Sequence, residues 1–325
     1  MCVLDHTGTI YCWGKDNAGQ LGDSGTLQRT TPIRVDGLGG PTAALFSDNE
    51  VSYAFTRAGS VYRWGRVSLS TSSSSVLKPA EITSMIPNAV SVGGGASHHC
   101  ALNTDHTVSC WGGNNVHQLG ENTDGYHDQP TPVPLLDAVS TLAVGYEHTC
   151  ASMSDGSVWC WGDNHHGQLG SGTLTQVDLP TQANLSTAVT QVATRNDYTC
   201  ALTGAGSVWC WGREGYGDNQ GNPVPHVIAD LGSDVESIAL GNWHVCAKKA
   251  DGSLWCWHQG LAFDGDTPPV PSTTPAAIAE LGTDVARVWT GYKSTCALRK
   301  DGTLWCWGTD LGLSVAPTQI AAGCN

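Results

Sequence analysis

Positive charge, methionine, phenylalanine and long apolar runs are all scarce in this chain of 325 residues, and the shortages narrow the classes of protein it can be. Lys and Arg number 15 against 29 Asp and Glu, which leaves a formal net charge of −14. A surface of that sign repels phosphate backbones, so no nucleic-acid partner is expected. The basic residues are scattered, with Lys248-Lys249 and Arg299-Lys300 the only adjacent pairs. No apolar run approaches the roughly 18 residues a spanning helix needs, so no membrane insertion is expected. Met1 to Asp5 shows neither a basic start nor an apolar stretch; no signal peptide is read there, and a mature form or an excised segment is expected. A sustained helical period is missing as well, which turns the reading toward strands.

What the chain does have is 40 Gly and 13 Trp, with many Thr and Val, a mixture that suits short strands joined by tight turns. Self-similarity organises it. The dipeptide Trp-Gly, once Trp-His, recurs at Trp13, Trp64, Trp111, Trp161, Trp211, Trp257 and Trp307, at intervals of 46 to 51 residues. Seven such units predict an all-β, seven-bladed β-propeller formed by residues 1–325 as one domain. In the best-formed unit, Cys150 to Met153 and Ser157 to Trp161 read as a hairpin closed by Ser154-Asp155-Gly156, because Gly takes the left-handed turn conformation cheaply. Gly8, Gly59, Gly206, Gly252 and Gly302 hold the same place, while His106 must carry that conformation with a side chain. The pairing then sets Ser152 against Val158, Ala151 against Trp159 and Cys150 against Cys160. Both faces of these strands are apolar, as expected for sheets sandwiched between neighbours. The chain starts inside a hairpin at Cys2-Val3-Leu4 and ends in Gln319 to Gly323, so a C-terminal strand is expected to complete the first blade.

Twelve of the 13 cysteines form pairs with one ten-residue offset. Cys2 goes with Cys12, Cys100 with Cys110, Cys150 with Cys160, Cys200 with Cys210, Cys246 with Cys256, and Cys296 with Cys306. Unit 2 replaces both members together, with Tyr53 and Arg63. In the hairpin register each pair falls at a non-hydrogen-bonded site, where Cα atoms approach most closely and a disulfide can form. Buried free thiols are the plainer alternative. Two cysteines across a strand pair offer too few ligands for zinc. Disulfides on this scale point to an extracellular, periplasmic or cell-surface location. Cys324 is left over, as a free thiol or an intermolecular link.

The unit from Gly145 to Gly170 resembles the regulator of chromosome condensation family. The matching residues are Gly145, His148-Thr149-Cys150-Ala151, Asp155-Gly156, Cys160-Trp161-Gly162, Asn164 and Gly167-Gln168-Leu169-Gly170. Ala96 to Gly120 matches again, and the first unit does so through Trp13-Gly14, Asn17 and Gly19 to Gly22. Three connectors, Arg66 to Pro79, Glu214 to Pro225 and His258 to Pro275, lack the Gly-Gln-Leu-Gly element and read as low-complexity loops. The resemblance implies the propeller fold and says little about function, because this scaffold serves unrelated roles. Within the family, β-lactamase inhibitors are a precedent for a protein ligand. The exchange-factor or chromatin role of the eukaryotic namesake is opposed by the acidic balance and the cysteine pairs.

Chemistry-bearing motifs are few. His98, His148 and His244 each lie two residues before a hairpin cysteine, where a structural hydrogen bond is expected. His165-His166 sits in a connector loop and reads as solvated, so no metal site is assigned. Asp264-Gly265-Asp266 lacks the remaining ligands of a calcium loop. No nucleophile elbow, phosphate-binding glycine loop or zinc-protease motif is present, so no catalytic residue, cofactor or enzymatic activity is assigned. The expected function is recognition of a partner protein through loops on one propeller face. Binding of a glycan or surface polymer is the alternative, with Tyr126, Tyr146, Tyr216, Trp243 and Tyr292 as ring platforms and His165 and His166 beside them. A propeller enzyme is a third, less favoured reading. Intact mass without reductant is expected to fall about twelve hydrogens below that of the reduced chain, two per bridge. Freely titrating thiols in the folded protein would contradict the pairing.

Overall fold

Seven antiparallel sheets follow one another along the computed structural model, which describes residues 1–48, 50–68, 73–213, 221–242, 244–258, 274–308, 311, 313 and 316–320. They form the seven-bladed propeller, with blades at 2–34, 42–81, 89–132, 139–182, 189–227, 235–277 and 285–319. Blade 4 shows the plan: Val139–Val144, His148–Met153, Val158–Gly162 and Val177–Gln182 pair in sequence order from first strand to fourth. The hairpin register is the expected one, with Cys150 opposite Cys160, Ala151 opposite Trp159 and Ser152 opposite Val158.

The other five cysteine pairs repeat this register. Cys2 stands opposite Cys12 in blade 1, Cys100 opposite Cys110 in blade 3, and Cys200 opposite Cys210 in blade 5. Cys246 stands opposite Cys256 in blade 6, and Cys296 opposite Cys306 in blade 7. All six pairs are at disulfide-bonding distance, with Cα atoms 4.1 Å apart. Each bridge lies within one blade, between its second and third strands, or its first and second in blade 1. Cys12, Cys110, Cys210 and Cys256 are buried on the third-strand side of these hairpins or its blade 1 counterpart, so none is presented to a ligand. His106 takes a φ of 65°, as its turn requires, and its ring nitrogen Nδ1 lies 3.0 Å from the carbonyl of Val139 at the start of the next blade.

The glycine of each Trp-Gly dipeptide has a steric cause. In blade 4 the third strand breaks register with the fourth between Cys160 and Gly162, and Gly162 adopts a φ of 96°. A Cβ there would lie 2.5 Å from the Glu147 carbonyl oxygen, and at Gly212 the corresponding distance, to Asp197, is 2.3 Å. Any other residue would push the hairpin away from the loop that precedes it.

Neighbouring blades are joined by two repeated hydrogen bonds. His98, His148 and His244 place Nε2 2.9, 2.9 and 2.7 Å from the hydroxyls of Thr149, Thr199 and Thr295 in the following blade. Thr199 already donates its hydroxyl proton to the Gln168 carbonyl, so His148 donates from Nε2. The rings lie against the glycine three residues earlier; a Cβ on Gly145 would meet His148 at 2.4 Å. Where the histidine is absent, the threonine is absent too: Val51 faces a blade carrying His99, and Tyr198 one carrying Val245. Blade 2 compensates for its missing cysteines with Tyr53, whose hydroxyl lies 2.9 Å from His99 Nδ1 in blade 3. The second link runs from tryptophan to the Gly-Gln-Leu-Gly element of the preceding blade. Trp64, Trp161 and Trp211 donate Nε1–H to the carbonyls of Gln20, Gln118 and Gln168 at 2.9, 3.1 and 2.9 Å.

Two expectations change. Blade 1 has three strands among the described residues, Cys2–Leu4, Ile10–Gly14 and Arg29–Arg34. Thr318–Gln319 at the chain's end is the fourth strand of blade 7 rather than part of blade 1, because it pairs with Trp305 and Cys306. The rest of the expected closing segment, 321–325 with Cys324, lies outside the described residues. Blades 7 and 1 meet instead through an apolar cluster in which Trp13 packs with Cys296, Cys306 and Leu311 and is flanked by Met1, Val3 and Ile320. The stretch Arg66 to Pro79 is also no loop over most of its length. Val61–Ser68 and Ser73–Glu81 pair as far as Ser68 opposite Ser73, extending the ladder where the Gly-Gln-Leu-Gly turn is missing. In the other two connectors, 214–220 and 259–273 lie outside the described residues.

Burial depresses the blade-interface imidazoles, His98 and His99 to about 3 and His148 to about 4. Protons therefore bind the unfolded chain more readily, so stability holds above the unfolded value near 6.5 and declines as pH falls below it toward the folded values. Each imidazole contributes on the order of 1.4 kcal/mol per pH unit in that window. Buried Asp16, raised to about 6, acts in the opposite sense. His148→Gln isolates one imidazole: its deficit in unfolding free energy relative to the parent is expected to shrink by about 2 kcal/mol between pH 7.5 and pH 5 in urea titrations. A deficit independent of pH would refute the buried neutral imidazole.

Candidate binding face

In a four-stranded antiparallel blade the connection between strands one and two leaves the sheet on the same edge as that between strands three and four. The described loop positions singled out from the sequence, Tyr126, Tyr146, His165, His166 and Tyr292, therefore gather on one face of the propeller. The first of these connections runs from blade 3 to blade 7 as a hydrogen-bonded chain. Ala96 N–H donates to the Tyr146 carbonyl at 2.7 Å and Tyr146 N–H to the Asn196 carbonyl at 3.1 Å. Asn196 Nδ2 donates to the Asn242 carbonyl at 2.6 Å, and Asn242 N–H to the Gly291 carbonyl at 3.3 Å. Five blades are thus tied loop to loop.

The predicted residues fare differently on this frame. Tyr146 and Tyr292 project from it, 47% and 44% exposed. Tyr126 begins a fourth strand opposite Gly113 and is half-buried, so it offers no open ring platform. His165 is exposed and hydrogen-bonded to Asp163, whereas His166 is largely covered and stands 3.9 Å from Asp197. Tyr216 and Trp243 lie outside the described residues.

Sequence reasoning missed the positions that set the charge of this face. In blades 2 to 5 the residue after Trp-Gly donates its N–H to the carbonyl of the residue before the histidine position: Arg66 to Glu50, Gly113 to Ser97, Asp163 to Glu147, Arg213 to Asp197, at 2.7 to 2.9 Å. The backbone link is constant and the side chains vary freely. In blade 2 they form an ion pair, Arg66 to Glu50, at 2.7 Å; in blade 3 they are neutral; in blade 5 Arg213 and Asp197 lie 3.6 Å apart. In blade 4 both are acids. On the opposite side Lys15 of blade 1 and Lys293 of blade 7 each hold an ammonium 5.8 Å from the Tyr292 ring centre. Aligning the units on Trp-Gly and reading the residue after it would have exposed this pattern.

Electrostatics at blade 4 are strained. Burial pushes the Glu147 carboxyl up, and the carboxylates of Asp163 and Asp197 push it further. Asp197 is raised chiefly by burial, against the pull of His166. The hydrogen bond to Asp163 raises His165, whose proton partly offsets the cluster. Asp163 is also held by Gln168 Nε2 at 2.7 Å. Among the described residues no group of three or more His, Cys, Asp or Glu is arranged to hold a metal ion.

The architecture defines a class, a disulfide-paired repeat propeller with a variable loop face. The chain belongs to the regulator of chromosome condensation (RCC1) repeat family, whose repeat matches residues 7–45, 89–118, 105–152, 139–168, 155–202, 189–218 and 285–310. It is 29% identical over 153 residues to the human E3 ubiquitin-protein ligase HERC2, covering 45% of this chain and 3% of that protein. The chain spans about a third or less of the curated relatives it matches. The crystal structure of human WBSCR16 superposes with a TM-score of 0.82 at 20% identity, covering 96% of this chain and 94% of that one. Yeast RCC1 (Prp20), solved with Kap60 bound, gives 0.81 at 19% identity, covering 99% and 86%.

Because Glu147 is raised in the folded protein, its ionisation opposes folding as pH rises through the folded value. Glu147→Gln is expected to raise the melting temperature slightly at pH 8 and to leave it unchanged at pH 4. A loss of stability at pH 8 would show that the carboxylate is favourably paired.

Proposed function

We propose that the chain is a non-enzymatic recognition scaffold that works outside the reducing cytoplasm and binds a partner protein through the loop face around the channel mouth. One observation carries the reading: a hydrogen-bonded chain of loops through five blades displays side chains that vary from blade to blade. A pre-organised frame loses little entropy on binding, and exposed tyrosines are efficient contact residues. Precedent comes from the same fold in yeast, where RCC1 was crystallised with Kap60 bound. Six cysteine pairs at bonding distance support an oxidising location, because cytosolic thiols are kept reduced. The glycan alternative has less support, since Tyr126, one of its ring platforms, is half-buried.

A photo-crosslinking residue placed at Tyr146 or Tyr292, and a control at Asp155 on the opposite face, tests the reading in extracellular fluid of the source organism. Crosslinks to a discrete protein are expected from the first two positions and not from the third. Crosslinks from Asp155 alone would place recognition on the other face. Glycan-array binding lost in Tyr146→Ala, with no protein captured, would favour the sugar reading.

A further inference from the structure

The first strands of successive blades touch one another, so they form the wall of the central channel, while fourth strands such as Arg29–Arg34 face outward. Gln191 shows the relation. Its side chain donates to the Ile238 carbonyl and accepts from the Ile238 N–H, at 2.9 and 3.1 Å, joining the first strands of blades 5 and 6. Each first strand shifts register once against its second strand, which makes the walls comparable residue by residue. Just past the shift, blades 2 to 6 carry neutral side chains, Ala44, Ser91, Thr141, Gln191 and Ser237, and blade 7 carries Arg287. Two residues on, opposite the cysteine position, blades 3 to 6 carry Gly93, Ala143, Ala193 and Ala239, and blade 7 carries Trp289.

Arg287 and Trp289 are both exposed, Trp289 by 40%, while Val288 between them turns into the apolar cluster shared with blade 6. Acids outnumber bases 29 to 15 in the chain, yet among the described residues the Arg287 guanidinium makes no hydrogen bond and no ion pair. Both side chains line a hollow of about 370 Å³ between the first strands of blades 5, 6 and 7. Ile238 and Val288 give it an apolar floor, and Ser237 and Glu236 a polar edge. Glu236 is paired through Oε2 with Lys248, which leaves Oε1 to accept a further hydrogen bond.

We propose that this hollow binds an acidic sugar, a hexuronate ring. Arg287 and Trp289 project from one side of an extended strand, about 6.6 Å apart along it. One small ring can therefore lie on the indole while its carboxylate meets the guanidinium. The planar fork of arginine suits a carboxylate, which accepts two parallel N–H bonds from it. The flat apolar face of the indole suits the C–H face of a pyranose. The sugar hydroxyls donate to Glu236 Oε1 and exchange hydrogen bonds with Ser237. A neutral sugar leaves the guanidinium without its anion, and an aromatic acid has no hydroxyl for Glu236. The hollow is of the size that holds a small molecule, since such sites start at about 300 Å³. It lies on the channel wall, apart from the loop tyrosines, so it adds to the recognition reading and does not depend on it.

Saturation-transfer difference NMR of the intact, oxidised chain with sodium glucuronate and sodium galacturonate tests the site. Saturable binding of at least one of them is expected, with a dissociation constant on the order of 1 mM, and glucose and benzoate are expected to bind about tenfold more weakly or less. Arg287→Gln and Trp289→Ala should each weaken uronate binding about tenfold or more. Both variants should keep the parent melting temperature, because Gln191 and Ala143 already occupy those registers in other blades. Tyr146→Ala should bind uronate as the parent does. The proposal is overturned if neither uronate binds, if glucose or benzoate binds as tightly, or if uronate binding is indifferent to either channel-wall change. Uronate binding lost in Tyr146→Ala would move the sugar to the loop face and overturn it as well. Neither channel-wall variant alters the loop chain, so failure here leaves the recognition reading standing.

Discussion

Cys150 stands opposite Cys160 at a site where two strands approach closely without hydrogen-bonding to each other, and five other blades repeat that relation. Most of the molecule follows from this register. It places Trp161 where its indole can reach back to the Gln118 carbonyl of the preceding blade, and it places Thr149 within reach of His98. Each bridge closes a loop of about 11 residues, which in the chain-entropy view is worth roughly 2.5–3 kcal/mol and acts within one blade. Cohesion between blades comes from elsewhere, from the imidazole and indole hydrogen bonds and the apolar clusters they border.

That division of labour lets the loops vary. The loop chain is held by backbone hydrogen bonds and, between blades 5 and 6, by the Asn196 side chain, so Glu147, Asp197 and Lys293 occupy equivalent positions without disturbing the frame. Glu147 is half-buried beside the buried Asp163 in blade 4, and their mutual repulsion is unfavourable to the isolated fold.

The propeller was legible because its determinants are local and repeated. The ten-residue cysteine offset, seen from Cys2 and Cys12 through to Cys296 and Cys306, encodes a hairpin register. The Trp-Gly step, present in six units and replaced by Trp257-His258 in the seventh copy, marks a bulge where glycine fits best, and the recurring Trp counts the blades. His106 shows how far such reading goes: its left-handed backbone follows from its place in the turn alone. The misreading of Arg66 to Pro79 has the converse cause. Its serines look like linker composition, but pairing between Val61–Ser68 and Ser73–Glu81 supplies the hydrogen bonds that low complexity does not forbid.

By itself the sequence determined the fold class and the hairpin pairing of the cysteines, since each depends on residues within one unit. Tertiary structure alone decided which side chains meet across units. His98 with Thr149, Tyr53 with His99, and Lys15 with Lys293 around Tyr292 are separated by 46 residues or more, and no local periodicity couples them. The polarity of the loop face is of the same kind: seven units must close into a ring before blade 4 and the junction of blades 7 and 1 come to stand opposite one another.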